Sequence, residues 1–366
     1  MNSATIKNST IVRNDRVESG SSSPKLAGKP ALAHVVPSAN SRETERRIPW
    51  IPGDWRTGLL RAGVRAVCGL APALAVRLVD RLWFTPPRAP LHAGAAELLR
   101  QATPLSFRVH GRRVAAWSWG SGPVVLLIHG WGGHAGQMQS FVAPLLRAGF
   151  RVLAFDAPGH GASAPSRMGG RRVSFIEFAA ALREVSRTAG PVSGLIAHSS
   201  GCTATALAIR DGWQPPARMV FVAPFVFPDA YAAPFAKALA VSATVMARFR
   251  ARVERRFRRP WSDFDIDSVP RVADVPSLLL VHDHHDNEVP FTDSVALAAA
   301  WPRSRMIDTQ GLGHRKLLRD AAVVTRSVEF LERPVTAHLT TRPTPHSPAD
   351  ARDELDRAFQ SAGFAP

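Results

Sequence analysis

Cysteine and tyrosine are nearly missing from this chain. Two cysteines, Cys68 and Cys202, among 366 residues exclude a disulfide-stapled scaffold and any cysteine-rich zinc module. One tyrosine, with no interleaving of aromatic and basic residues, leaves no stacking platform for bases, so nucleic acid is not an expected partner. Acidic residues are scarce: 29 Asp+Glu face 46 Lys+Arg, a formal charge of +17, and lysine supplies only positions 7, 25, 29, 237 and 316 of that excess. Such a balance bears on association with anionic surfaces rather than on fold or chemistry. Long apolar runs are lacking too. Ala66 to Val76 is interrupted by Pro72 and flanked by Arg65 and Arg77, and a membrane span needs about 20 residues. The first 25 residues hold no apolar run with a small-residue cleavage site, so a secretory signal is not expected and a cytoplasmic location is.

What is present is a globular composition, 45% hydrophobic and 20% charged, consistent with a full-sized core. Residues 1–50 mix Ser, Asn, Pro and charge without periodicity and read as a disordered tail. The segment 51–104 reads as an N-terminal amphipathic helical segment. There Leu60, Val64, Val67, Leu70, Leu74, Leu78 and Leu82 recur at steps of three and four, with Arg61, Arg65, Arg77 and Arg81 off that stripe. Pro72 is expected to kink or split the helix. A stripe of this kind suits packing on the main domain; a basic amphipathic helix also suits peripheral contact with an anionic membrane through residues 55–84.

From residue 105 to 332 short apolar strands alternate with helical stretches. Phe107–Val109 and Arg113–Trp119 suit an antiparallel hairpin turning at Gly111. Val124–Ile128, Val152–Phe155, Gly194–Ala197, Met219–Val222, Ser277–Val281 and Arg305–Asp308 suit strands buried on both faces of a parallel sheet. The helical stretches are Gln137–Ala148, Ser174–Thr188, Cys202–Asp211, Thr292–Ala300 and Arg315–Phe330. This alternation predicts a doubly wound α/β fold. Between about 225 and 275 the rhythm breaks for an arginine-rich helical insertion, Met246–Arg259, read as a cap over the carboxyl ends of the strands. Its arginines suit a solvated face, a guide for anionic substrates, or lipid contact. Residues 333–366 read as a C-terminal tail.

Four strand ends carry chemistry. Ala197-His198-Ser199-Ser200-Gly201 follows a buried strand and opens a helix. A serine on so sharp a turn is forced out of the end of the sheet. The central position favours Ser199 over Ser200. Ile128-His129-Gly130-Trp131-Gly132-Gly133 offers glycine-freed N–H groups to an oxyanion, with His129 read as a structural residue of the turn. Val281-His282-Asp283-His284-His285-Asp286-Asn287-Glu288-Val289-Pro290 supplies an acid able to orient a histidine, and Gly311-Leu312-Gly313-His314 supplies the histidine. The cluster at 282–286 also suggests two metal-binding imidazoles, but no second cluster supplies the remaining ligands, so neither metal nor cofactor is expected.

These residues, with Phe155-Asp156-Ala157-Pro158-Gly159-His160-Gly161-Ala162-Ser163, give the segment from about Phe107 to Leu331 a sequence that resembles the α/β-hydrolase superfamily. The resemblance implies that fold, with a mostly parallel sheet and a helical cap. It puts the nucleophile on Ser199, the base on His314 and the acid on Asp286, with Asp283 as the rival. The oxyanion donors fall on the backbone N–H groups of Trp131 and Ser200. The expected activity is hydrolysis of a carboxylic ester or related small-molecule acyl substrate through an acyl-enzyme. An acyltransferase using the same residues and a non-catalytic binding protein on the same fold are the alternatives, and oligomeric state stays open.

Overall fold

A computed structural model describes residues 55–332. The stretches read as tails, 1–50 and 333–366, lie outside the described residues. The helices are α1 (Trp55–Leu70), α2 (Pro72–Trp83), α3 (Ala93–Arg100), α4 (Gln139–Arg147), α5 (Phe175–Ala189), α6 (Ser200–Arg210), α7 (Pro228–Leu239), α8 (Ala243–Phe257), α9 (Phe291–Ala300), α10 (Gly313–Lys316) and α11 (Ala321–Glu332). The strands are β1 (Thr103–Val109), β2 (Arg112–Trp119), β3 (Val124–Ile128), β4 (Arg151–Phe155), β5 (Val192–His198), β6 (Arg218–Val222), β7 (Ser277–Asp283) and β8 (Ser304–Thr309). They form one eight-stranded sheet in the order β1-β2-β4-β3-β5-β6-β7-β8. β1 pairs antiparallel with β2 and β2 with β4; every later pairing is parallel.

Strand side chains alternate between the two faces, and both faces are apolar. Leu126 and Ile128, level with Leu153, Phe155, Leu195 and Ala197, belong to one core cluster together with α5 and α6. Val125 and Leu127, with Val152, Ala154 and Ile196, belong to a second cluster together with α4 and α11. Helices on both faces explain why the central strands read as continuous apolar runs rather than alternating ones. The arrangement also fixes where a site can form. The chain leaves β3 toward α4 on one face and leaves neighbouring β5 toward α6 on the other, opening a crevice beyond the carboxyl ends of those strands.

Two expectations are corrected. The stretch Arg315–Phe330 is not one helix: α10 passes through a 3-10 turn at Leu317–Arg319 before α11. Asp320 caps the new helix, its Oδ1 accepting from Ala322 N and Val323 N at 3.0 Å each. The apolar stripe of the N-terminal segment is also not the buried one throughout. The chain breaks at Ala71, with Pro72 at the start of α2, and the break shifts the inward face. Val64, Cys68, Ala75, Val76 and Val79 are buried, whereas Leu60, Leu70 and Leu74 are exposed.

α2 is fastened to the cap by charge. Asp80 is buried at 3% exposure; Arg256 Nη2 lies 2.7 Å from it, Arg252 Nε 3.7 Å and Arg172 Nη1 3.8 Å. Other arginines of the cap run are paired as well, Arg250 to Asp229 and Arg259 to Asp211 at 3.0 Å, while Arg248, Arg255 and Arg258 are exposed. Removing the shared anion strands three cations. Asp80→Ala is expected to lower unfolding free energy by about 1–3 kcal/mol, less than a fully buried pair because the arginines keep part of their hydration. Arg255→Ala, on the exposed side of α8, should stay within about 0.5 kcal/mol of wild type. Urea denaturation of the two variants checks both values.

Candidate active site

Ser199 sits between β5 and α6 with φ 53° and ψ −123°, a region that non-glycine residues enter only under constraint. The constraint is the close approach of α6 to β3. A Cβ on Gly201 would lie 2.5 Å from the His129 carbonyl oxygen, and a Cβ on Gly130 would lie 3.0 Å from Ser199 Cβ. Ser199 N donates to the Val222 carbonyl at 2.9 Å, tying the turn to β6. Ser200 is already inside α6, and its hydroxyl is buried without a partner among the described residues.

The loop after β3 is braced by two imidazoles. His129 is fully buried; its Nδ1 donates to the Gly130 carbonyl at 2.7 Å and its Nε2 accepts from Ala157 N at 3.0 Å. His160 Nε2 accepts from Gly132 N at 3.0 Å, and Gly133 N donates to the Gly130 carbonyl at 3.0 Å. While the next two N–H groups along the turn are engaged, the Trp131 N–H keeps no intramolecular acceptor among the described residues. The Ser200 N–H, first in α6, is unpaired by helix geometry. Asp156 anchors the far side, its two oxygens accepting from Ala135 N at 2.6 Å and Ala162 N at 2.7 Å. Gly161 is required there, since a Cβ on it would sit 1.9 Å from Asp156 Oδ2.

At the other wall, His314 Nδ1 donates to Asp286 Oδ2 at 2.7 Å. Asp286 Oδ1 accepts from Glu288 N at 2.8 Å and Val289 N at 2.9 Å, and His282 Nε2 lies 3.2 Å from Oδ2. Burial alone would raise this carboxyl, but the hydrogen bonds from His282, His314 and Val289 outweigh it and hold the group well below the usual carboxylate range. Asp283 does different work. Its oxygens accept from His285 N at 2.9 Å, Thr309 Oγ1 at 2.7 Å and Leu312 N at 2.9 Å, so it holds the loop that carries His314 rather than the imidazole itself. The neighbouring histidines part company: His282 Nδ1 accepts from Ser294 Oγ at 2.6 Å, while His284 stacks on Phe291 and reaches Asp308 at 3.0 Å.

Ser199, Ser200, Trp131 and His314 line one cavity of about 350 Å³. His198 closes its floor, donating from Nε2 to the His314 carbonyl at 3.1 Å with the two rings 4.7 Å apart. The remaining walls are aromatic: Phe175, Phe225, Tyr231, Phe235, Trp261 and Phe264, with Arg88, Glu288, Arg315 and Arg319 among the polar residues. Trp83 and Phe84, at the end of α2, also line it, a contribution the sequence reading missed. The one local signal was two adjacent aromatic residues ending an aliphatic helix. The bracing role of His160 leaves no local signal, because Gly132 lies 28 residues before it.

Burial lowers the pKa of His129 to about 4, and that of His160 and His198 to about 3. Unfolded, each takes a proton near 6.5. Between about pH 3 and 6.5 the unfolded chain therefore binds more protons, and stability rises with pH across that window, by on the order of 2 kcal/mol per histidine from pH 5 to neutrality. Asp286 has the opposite sign: its contribution is present above the ordinary carboxylate pKa of about 4 and is lost below it, outside the range from pH 5 to 7. Thermal midpoints should fall steadily from pH 7 to pH 5, and a flat profile would contradict neutral buried imidazoles.

Residues 121–314 match the family described as serine aminopeptidase, S33, just over half of the chain. Among curated proteins, the chain is 28% identical over 265 residues to "Putative carbamate hydrolase RutD" of Variovorax paradoxus, covering 63% of this chain and 97% of that protein. A shorter stretch of 44 residues is 57% identical to the pimeloyl-acyl-carrier-protein methyl ester esterase of Methylococcus capsulatus, 12% of this chain and 17% of that one. Among solved structures, an esterase of Pyrococcus furiosus superposes with a TM-score of 0.52 at 17% identity, covering 68% of this chain and 97% of its own, a likeness of fold. On the family match and the strand order together, this chain is a hydrolase of the α/β-hydrolase superfamily and belongs to the serine aminopeptidase S33 family.

Proposed function

We propose that this protein cleaves carboxylic esters or related acyl substrates through an acyl-enzyme on Ser199. The observation that carries the reading is the 2.7 Å bond from His314 Nδ1 to a carboxylate held ionised. An imidazole that donates from Nδ1 keeps Nε2 as a base toward the cavity that Ser199 also lines. In this reading His314 Nε2 takes the Ser199 hydroxyl proton as Oγ attacks the acyl carbon. The Trp131 and Ser200 N–H groups hold the developing oxyanion. The protonated His314, stabilised by Asp286, then gives its proton to the leaving group. Water, deprotonated by the same imidazole, releases the acid and restores Ser199.

The aromatic walls favour an apolar acyl group, since a cavity of this size desolvates most of a small ligand and offers few polar partners. The names of the two curated relatives, a carbamate hydrolase and a methyl ester esterase, fit cleavage at an acyl carbon.

A fluorophosphonate read by intact mass tests the reading. Wild type is expected to gain a single adduct and Ser199→Ala none; an unlabelled, folded wild type would overturn it. His314→Ala and Asp286→Asn are expected to lose about three orders of magnitude or more in turnover of acyl esters. Asp283→Asn is expected to keep labelling while lowering the thermal midpoint. Turnover retained in Asp286→Asn and lost in Asp283→Asn would move the acid.

A further inference from the structure

The N-terminal helices carry an apolar surface that the fold does not use. α1 turns Val64 and Cys68 inward, yet its opposite face carries Leu59, Ala62, Gly63, Ala66 and Leu70, all exposed. The surface continues across the break to Leu74 on α2. Leu59 is 65% exposed, Leu70 88% and Leu74 55%. A helix that is apolar on two sides normally has a second thing to bury. Beside this strip stand Arg61, Arg65, Arg77 and Arg81, all exposed and without an acidic partner among the described residues. From position 55 to position 79 the sequence has no Asp or Glu at all, and Asp80, the next acid, is buried among cap arginines.

We propose that the α1–α2 pair seats this protein on an anionic lipid surface, leucines in the acyl boundary and arginines at the headgroups. The charge selects this occupant over two others. A second copy meeting the same patch about a two-fold axis would oppose arginine with arginine. The chain's own first 54 residues carry eight Lys or Arg against five Asp or Glu, again the wrong sign. An anionic bilayer supplies both the apolar layer and the countercharge. The far end of the same helix pair places Trp83 and Phe84 in the wall of the acyl cavity, so the seated surface and the pocket share α2. The docking does not rest on the catalytic reading, and Ser199→Ala must bind as wild type does.

The test is sedimentation of the full chain with vesicles of phosphatidylcholine alone or with about one-third phosphatidylglycerol. Wild type is expected to pellet with the anionic vesicles only. Leu59→Glu/Leu70→Glu/Leu74→Glu abolishes pelleting, and Arg61→Ala/Arg65→Ala/Arg77→Ala weakens it roughly a hundredfold, about fivefold per arginine. The substituted side chains are exposed, so circular dichroism should match wild type for both variants. Failure to pellet with anionic vesicles, or pelleting indifferent to both variants, overturns the proposal. Two further results do so. One is a wild-type dimer in light scattering that the leucine variant converts to monomer, which assigns the face to a second copy. The other is a full-length Leu70→Cys protein that resists a water-soluble maleimide without vesicles, which assigns it to the preceding chain.

Discussion

The whole site hangs on a steric requirement, that α6 begin in contact with the end of β3. Two residues without side chains meet that requirement, Gly201 against the His129 carbonyl and Gly130 against Ser199. Bringing the two chains this close leaves too few residues to turn smoothly from β5 into α6. The turn is therefore made within Ser199, which accepts a positive φ. The same approach brings the start of α6 and the turn that carries Trp131 into one cavity, which Ser200 and Trp131 both line. The strain is local, and the cost is spread over a sheet whose central strands are fully buried on both faces.

Around that contact the strand-end loops are held by hydrogen bonds to buried imidazoles and carboxylates. His129 and His160 act as neutral acceptors for backbone N–H groups, a role that burial enforces by driving their pKa values far below neutrality. Asp156, Asp283 and Asp286 collect backbone donors from loops after three different strands. The difference between Asp283 and Asp286 is one of partners, not of residue type. Asp283 is consumed by Thr309 and the backbone near His314, and Asp286 alone among the two receives the imidazole.

The N-terminal helices and the cap form the outer half of the molecule by a different logic. Their common element is Asp80, a buried anion shared by arginines of α8 and by Arg172. Several arginines of the cap run thus pair with carboxylates while keeping part of their surface in solvent. The aromatic residues between the two elements, Trp83 with Phe235 at 5.1 Å and with Trp261 at 5.9 Å, complete the cavity wall. On α1 and α2, by contrast, Arg61, Arg65, Arg77 and Arg81 stand exposed beside leucines that nothing among the described residues covers.

By itself the sequence determined the alternation of strand and helix, because runs such as Val124–Ile128 bury on both faces and match no other class. It also determined which strand ends carry the candidate serine, acid and histidine. Gly161 stands where no Cβ fits against Asp156, five residues before it, a need local enough to mark the spacing, whereas Gly130 and Gly201 answer to contacts between the β3 and β5 turns that lie far apart in the chain. Other features depended on partners distant along the chain. That His160 braces the turn at Gly132 and that Trp83 lines the cavity rest on pairings across 28 or more residues, as does the bond from His314 to Asp286, the acid the resemblance implied. The inward face of α1 and α2 was also out of reach. A periodic stripe gives the angle between side chains on one helix, but only packing against α7 and α8 decides which angle points in. Periodicity and turn sterics act within a few residues and leave a mark in the sequence, whereas close approaches between turns, ion pairs and cavity walls are chosen in space, by tertiary structure alone.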